Sequence, residues 1–216
     1  MKADMTKERL ITAGIKLFAK HGFESTTTRM IAEEAGVNNA TMSFHFQNKE
    51  NFYKAVLEYA AKDGSFIYDE VYLEIQELEE KGELNAQSAY ALIERLIDIQ
   101  FQFSIDEVRP DYLALMYWEQ MHPPEGISPL TELATIRCEK ILARLLTVYA
   151  PALSYEKAIL LSRLINGGII AYGEHPAFVN MIKENVKQQP LEPFVKDTLR
   201  AFILNSLKGL NDATPE

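Results

Sequence analysis

Thr26 to Glu50 reads TTTRMIAEEAGVNNATMSFHFQNKE, and its apolar residues fall at helical rather than strand spacing. Met30, Ile31 and Ala35 mark one face of a short helix from about Thr28 to Ala35. Thr27 is placed to cap its start and Gly36 to end it. After only Gly36-Val37-Asn38 the pattern restarts, from Asn39 to Phe46, with Asn38 as the cap. Asn48 then caps a helix beginning at Lys49, whose apolar positions are Phe52, Tyr53, Val56 and Leu57. Two short helices joined by a three-residue turn that opens with glycine are a helix-turn-helix, with Ile31, Val37, Met42 and Phe46 as its small core.

Upstream, Leu10, Ala13, Gly14, Leu17, Phe18 and His21 recur at three-to-four spacing; Asp4 or Thr6 caps this helix and Gly22 stops it. Downstream, helical periodicity covers Lys49 to Lys81 (bent near Asp63-Gly64), Ala86 to Ile105, Pro110 to Met121, Pro129 to Tyr149, Tyr155 to Tyr172 and Pro193 to Leu207. Breaks fall at Gly82, Pro110, Pro123-Pro124-Glu125-Gly126, Pro151, Pro176 and Pro190. The expected fold is all-α: a three-helix unit at 1–50 and a larger helical unit at 51–216, joined by one continuous fourth helix that carries movement between them.

The 216 residues carry a formal net charge of −9, but unevenly: residues 1–50 hold seven bases against six acids, and the rest hold 15 against 25. An acidic sum argues against a protein that coats nucleic acid over its whole surface, and leaves room for a local footprint. The single cysteine, Cys138, fits a reducing compartment. The opening MKADMTKERL has no signal-peptide core, and Arg163 and Asn166 interrupt the best apolar run, Ile159 to Tyr172. These features predict a cytoplasmic protein. Cys138 shows no paired base, and the four histidines, His21, His45, His122 and His175, lack metal-ligand spacing. Gly167-Gly168 is followed by no Lys-Ser/Thr, so it is no phosphate loop. No enzyme, cofactor or metal site is expected.

The polar residues of the motif suit DNA. Thr27, Thr28, Asn39, Thr41, Ser43 and His45 lie near helix N-termini or on an exposed face, where hydroxyls and backbone N–H groups meet phosphate oxygens. Lys49 sits in the first turn of its helix, where the dipole disfavours a cation and a phosphate relieves the conflict. Arg29 matches a guanine edge or a phosphate, and Asn39 an adenine edge. Blander roles stand beside these: Thr27 as cap, Arg29 as a solvated charge, His45 packed on Phe18 or Phe44.

The stretch closely resembles the DNA-binding domain of the TetR family of bacterial transcriptional repressors. The resemblance rests on Thr27-Thr28, Ile31-Ala32, Gly36-Val37, Thr41-Met42, Phe44-His45-Phe46 and Asn48-Lys49-Glu50, within residues 6–55. Ser43 stands where that family usually has a DNA-contacting tyrosine, and it lacks that side chain's reach. Asp111 to Gly126 and Gly173 to Ile182 are similar to the C-terminal domain of the CecR-type subgroup.

The resemblance implies a homodimer on a palindromic operator and a small-molecule effector in the larger unit. Leu164, Gly167, Gly168 and Ala171 on one helix, with Val195, Leu199, Phe202 and Ile203 on the last, are the expected dimer face. Mid-helix glycine costs about 1 kcal/mol against alanine, which argues for a packing role there. Tyr68, Phe101, Met116, Tyr117, Trp118, Met121, His122 and Tyr172, with Phe103 and His175, offer surface for an apolar or aromatic effector. Trp118 and Tyr117 lead that set because Glu119 and His122 adjoin them. The expected function is a repressor released by its effector. The alternative is a helical interaction module that kept the fold and lost specific DNA binding.

Overall fold

The computed structural model describes residues 2–65, 68–106, 110–122, 128–174, 176–187 and 190–210. Eleven α-helices and two π-helical turns account for most of them, and no strand occurs among the described residues, so the fold is all-α. The helices are α1 (Lys2–Ser25), α2 (Thr28–Glu34), α3 (Asn39–Phe46), α4 (Lys49–Ser65), α5 (Asp69–Glu80) and α6 (Ala86–Phe101). They continue as α7 (Pro110–Met121), α8 (Arg137–Tyr149), α9 (Tyr155–Glu174), α10 (Pro176–Asn185) and α11 (Leu191–Lys208). The π-helical turns are Gln102–Asp106 and Thr131–Ile136.

The chain divides into two compact units. The first is Met1–Phe66 with Pro110–Thr135, and the second is Ile67–Arg109 with Ile136–Glu216. The N-terminal unit is therefore larger than residues 1–50, because it holds all of α4 and takes in α7. Its core closes around Leu10, Phe18, Ile31, Met42, Phe52 and Val56, each nearly or fully buried, together with Leu115 and Leu130. Side chains of this size contribute about 1.5–3 kcal/mol each on full burial. The second unit packs α5, α6, α8, α9 and α11 around Ile75, Ile93, Leu96, Phe101, Leu142 and Leu146.

Four expectations need correction. Lys49 to Lys81 is two helices, α4 and α5. Ala86 to Ile105 is α6 running into a π-helical turn, and Pro129 to Tyr149 likewise has its π-helical turn before α8. Helix α10 has no counterpart in the periodicity reading; its ten residues begin at Pro176, a residue preorganised for a first helical position, which had been read only as a break. By contrast, α1 is traced through to Ser25, but Gly22 inside it has φ 72° and ψ 173°, so regular helix stops where the sequence places its end.

Candidate nucleic-acid interface

The helix-turn-helix forms for local reasons. Thr27 adopts extended backbone and its hydroxyl accepts from the Met30 amide at 3.2 Å, capping α2. Gly36 takes φ 62°, a value that L side chains rarely adopt, and the turn it makes is held by Arg9, whose guanidinium donates to the carbonyls of Ala35 and Gly36. Asn38 caps α3 by accepting from the Ala40 amide at 3.0 Å, and Asn48 caps α4 by accepting from the Asn51 amide at 2.7 Å. All three caps stand as the sequence predicts.

The turn between α3 and α4 is strained. Gln47 holds φ 69° and ψ −56°, and the Asn48 amide donates to the Phe46 carbonyl at 2.8 Å. That is a γ-turn of the rarer hand, unusual for a residue bearing a Cβ. It swings α4 sharply off the end of α3 and keeps Phe46 against Phe52, ring centroids 4.8 Å apart.

With Ile31, Met42 and Phe46 turned inward, the polar residues are left outside. Thr27, Arg29, Asn39 and Ser43 are exposed; Thr28, Thr41, His45 and Lys49 are half-buried. Arg29 pairs with Glu33 one helical turn on at 2.8 Å, both side chains well exposed, a contact weak enough for a phosphate to replace. Lys49 is placed differently from the expectation. Its ammonium donates to the Phe23 carbonyl at 3.0 Å and lies 4.1 Å from the centre of the Phe23 ring, so its conflict with the α4 dipole is already relieved inside the chain. His45 lies edge-on to Phe44 at 5.3 Å, the Phe44 alternative of the two packing roles considered for it.

Phe44 itself is the residue the pattern reading passed over. It is 83% exposed on α3, between the buried Met42 and Phe46. An exposed phenyl ring on the second helix of this motif suits the methyl group of thymine. The available signal was helical phase: Phe44 is two residues from Met42 and from Phe46, off the face that both of them share.

Of the expected effector residues, Met116, Tyr117, Trp118, Met121 and His122 belong to the first unit, and Tyr68, Phe101 and Tyr172 to the second. Tyr117, Trp118, Met121 and His122 are exposed, and Phe101 is fully buried core. The Trp118 indole is no open pocket wall: its N–H donates to the Ala19 carbonyl at 3.1 Å and its ring lies over Gly22. Its neighbour Glu119 is 2% exposed and accepts from the Tyr53 hydroxyl. Burial first, and that bond second, push the Tyr53 phenol well above its ordinary range. Tyr68 packs against Cys138, and Phe103 is half-buried; His175 and residues 123–127 lie outside the described residues.

The second unit brings several expected residues together. Gly168, Ala171, Tyr172, Val195 and Leu199 line one open groove of about 840 Å³, completed by Phe178, Met181, Ile182, Val186, Phe194 and Thr198 of α10, α11 and the segment between them. Leu164 and Phe202, 70% and 71% exposed, stand free on α9 and α11, and so does Leu160 at 71%. A Cβ added at Gly167 or Gly168 would meet nothing within 4 Å, so neither glycine has a packing reason inside its own chain. Val195 and Ile203, expected on the dimer face, are 6% and 9% exposed and belong to the unit's own core.

Comparisons with known proteins agree with the motif. The family described as bacterial regulatory proteins, tetR family, matches residues 10–56. The uncharacterized HTH-type transcriptional regulator YerO of Bacillus subtilis is 43% identical over 53 residues, 24% of this chain and 18% of that protein. The HTH-type transcriptional dual regulator CecR of Shigella flexneri is 36% identical over 61 residues, 28% of this chain and 27% of that protein. The chain thus spans about a fifth to a quarter of the length of these two relatives. The crystal structure of HlyIIR, a hemolysin II transcriptional regulator, superposes with a TM-score of 0.60 at 19% identity, covering 94% of this chain and 97% of that one, which shows a shared fold. By family model and by relatives alike, the helix-turn-helix of this chain is thus similar to those of bacterial regulatory proteins of the tetR family.

Proposed function

We propose that the protein is a homodimeric repressor that holds a palindromic operator through α2 and α3 and releases it when a small apolar or aromatic effector binds. The observation that carries this reading is the sorting of α2 and α3: Ile31, Met42 and Phe46 buried, with Thr27, Arg29, Asn39, Ser43 and Phe44 offered outward. Dimerisation is supported by the bare face of Leu160, Leu164, Gly167, Gly168 and Phe202, and by the apolar groove beside it, which suits a helix of a second copy. Two copies related by a two-fold axis read half-sites about 34–36 Å apart, one helical turn of DNA. The acidity of the remaining chain limits non-specific attraction, so specificity rests on placed contacts. A cytoplasmic, non-enzymatic role accords with this reading; no helix among the described residues is long and apolar enough to cross a membrane.

The rival reading, an interaction module without operator binding, draws on Ser43 and on the in-chain partners of Lys49 and Arg29. Selection of bound duplexes from a random-sequence pool at low salt separates the two. A repressor enriches a palindrome; a pool that stays unenriched sinks the repressor reading. Adding the effector to the enriched complex must then lower operator affinity, because coupling exists only as differential binding.

A further inference from the structure

Glu119 is an unusual residue to find at 2% exposure. One of its carboxylate oxygens accepts from the Tyr53 hydroxyl, and the other, Oε2, is buried without a hydrogen-bond partner. No Lys, Arg or His among the described residues forms an ion pair with it. A buried carboxylate with half its acceptor capacity idle is an energetically expensive arrangement unless something else completes it. The surroundings indicate what. Tyr53 lies 4.7 Å from the Phe18 ring and 4.9 Å from the Phe23 ring, centroid to centroid, so packed aromatic rings run on from the phenol whose hydroxyl meets the carboxylate. That group already attracts a cation at its edge, the Lys49 ammonium over Phe23.

We propose that Glu119, with the Tyr53, Phe18 and Phe23 rings, forms the binding site of a small hydrophobic organic cation, an ammonium bearing apolar or aromatic groups. A carboxylate neutralises such a cation, and aromatic faces hold its apolar substituents and spread charge. A metal ion does not fit. Hard divalent cations take about six or more oxygen ligands, whereas no group of three or more His, Cys, Asp or Glu that could hold a metal occurs among the described residues. A neutral ligand without a donor group leaves Oε2 as it is, one with a donor leaves the charge uncompensated, and an anion is repelled.

The site also has a consequence for the helices around it. Tyr53 is on α4 and Glu119 on α7, and Glu119 is closed off from solvent, so a ligand takes its place only as α4 and α7 part. Lys49 begins that same α4, immediately after the α3 that faces outward. Occupation of the site therefore moves the frame that holds α3. The inference names the chemical class of the effector and depends on the repressor reading only for this last consequence.

Trp118, the only tryptophan in the chain, adjoins Glu119 and serves as a local reporter. The full-length protein, without DNA, is titrated with phenyltrimethylammonium, with its uncharged isostere tert-butylbenzene and with benzoate, following Trp118 fluorescence. A saturable change is expected with the cation alone, weakened about tenfold or more in Glu119→Gln, the loss of one charge-assisted contact. Equal binding of the uncharged isostere, equal binding by Glu119→Gln, or no saturable response to the cation each overturns the proposal, and the comparison of ligands on the unaltered protein stands even where Glu119→Gln fails to fold. Cation binding by a protein that enriches no operator leaves this site and removes the repressor reading; operator enrichment without cation binding does the reverse.

Discussion

The indole N–H of Trp118 donates to the backbone carbonyl of Ala19 at 3.1 Å, across 99 residues of chain. Ala19 lies three residues before Gly22, and a carbonyl there is available because Gly22 leaves helical geometry. A Cβ at Gly22 would stand 3.2 Å from the Trp118 ring, and its φ of 72° is unfavourable for any side chain but glycine's. The bond and the stack together hold α7 against α1.

Gly22→Ala is therefore expected to destabilise the protein by about 1–3 kcal/mol through backbone strain, with crowding of Trp118 added. Trp118→Phe removes the bond and part of the stack and is expected to lose about 1–2 kcal/mol. Urea unfolding measures both. Unchanged midpoints would show that this contact contributes nothing to the first unit.

Gln47→Gly has the opposite sign. The γ-turn conformation at φ 69° strains a residue with a Cβ and suits glycine, so the variant should gain about 1 kcal/mol, less the entropy glycine adds to the unfolded chain. The expected readout is a higher midpoint with an unchanged denaturant slope.

Three substitutions test the proposed DNA face. Arg29→Ala frees Glu33 and removes one candidate phosphate contact, lowering the slope of log affinity against log salt by about 0.9. Lys49→Ala is expected to change the slope less and stability more, because its ammonium is already bound to the Phe23 carbonyl and ring. Phe44→Ala should weaken operator binding about tenfold with neither slope nor stability altered, as suits an 83% exposed ring in apolar base contact. An Arg29 variant with the parental slope would remove that residue from the interface.

The glycine face of α9 predicts a split between helix and assembly. Gly167→Ala and Gly168→Ala meet no atoms of their own chain and should each stabilise an isolated subunit by about 1 kcal/mol. The same changes weaken a dimer that uses close approach at this face. Leu164→Asp and Phe202→Asp, both on exposed side chains, should give monomers in sedimentation equilibrium and abolish operator binding. Dimers that survive both aspartates would place the subunit contact elsewhere.

Burial pushes the Cys138 thiol from 9.0 up to about 11, against the hydrogen bonds from Tyr68 and Gln100, which lower it. A raised folded value means the native state keeps its proton where the unfolded chain has lost it. This contribution is fully present below pH 9 and is lost as pH rises toward 11, about 3 kcal/mol in all, measured by denaturant unfolding at each pH. At neutral pH the native thiol should resist iodoacetamide until the protein unfolds.

The helix-turn-helix was legible because everything that specifies it is local. Thr27, Asn38 and Asn48 cap within three residues of themselves, and Gly36 sets its turn by its own backbone freedom. Ile31, Met42 and Phe46 announce the buried face by spacing alone. The same periodicity marks most helices of the second unit. It misses α10, ten residues long, whereas helical phase alone puts Phe44 off the buried face that its aromatic neighbour Phe46 shares with Met42.

What lay outside the sequence is every partner reached through space. Trp118 and Tyr117 lead the candidates for a ligand in the sequence because the polar Glu119 and His122 adjoin them. Folding gives Trp118 the Ala19 carbonyl and gives Glu119, among the described residues, the Tyr53 hydroxyl 66 positions away in the chain. Lys49 read as a free charge until Phe23 came beneath it, and Val195 and Ile203 read as dimer surface until their own core enclosed them. Periodicity records which face of a helix is apolar, because burial acts on every turn alike. It does not record which helix arrives against that face, since one distant contact imposes no repeating pattern on the chain.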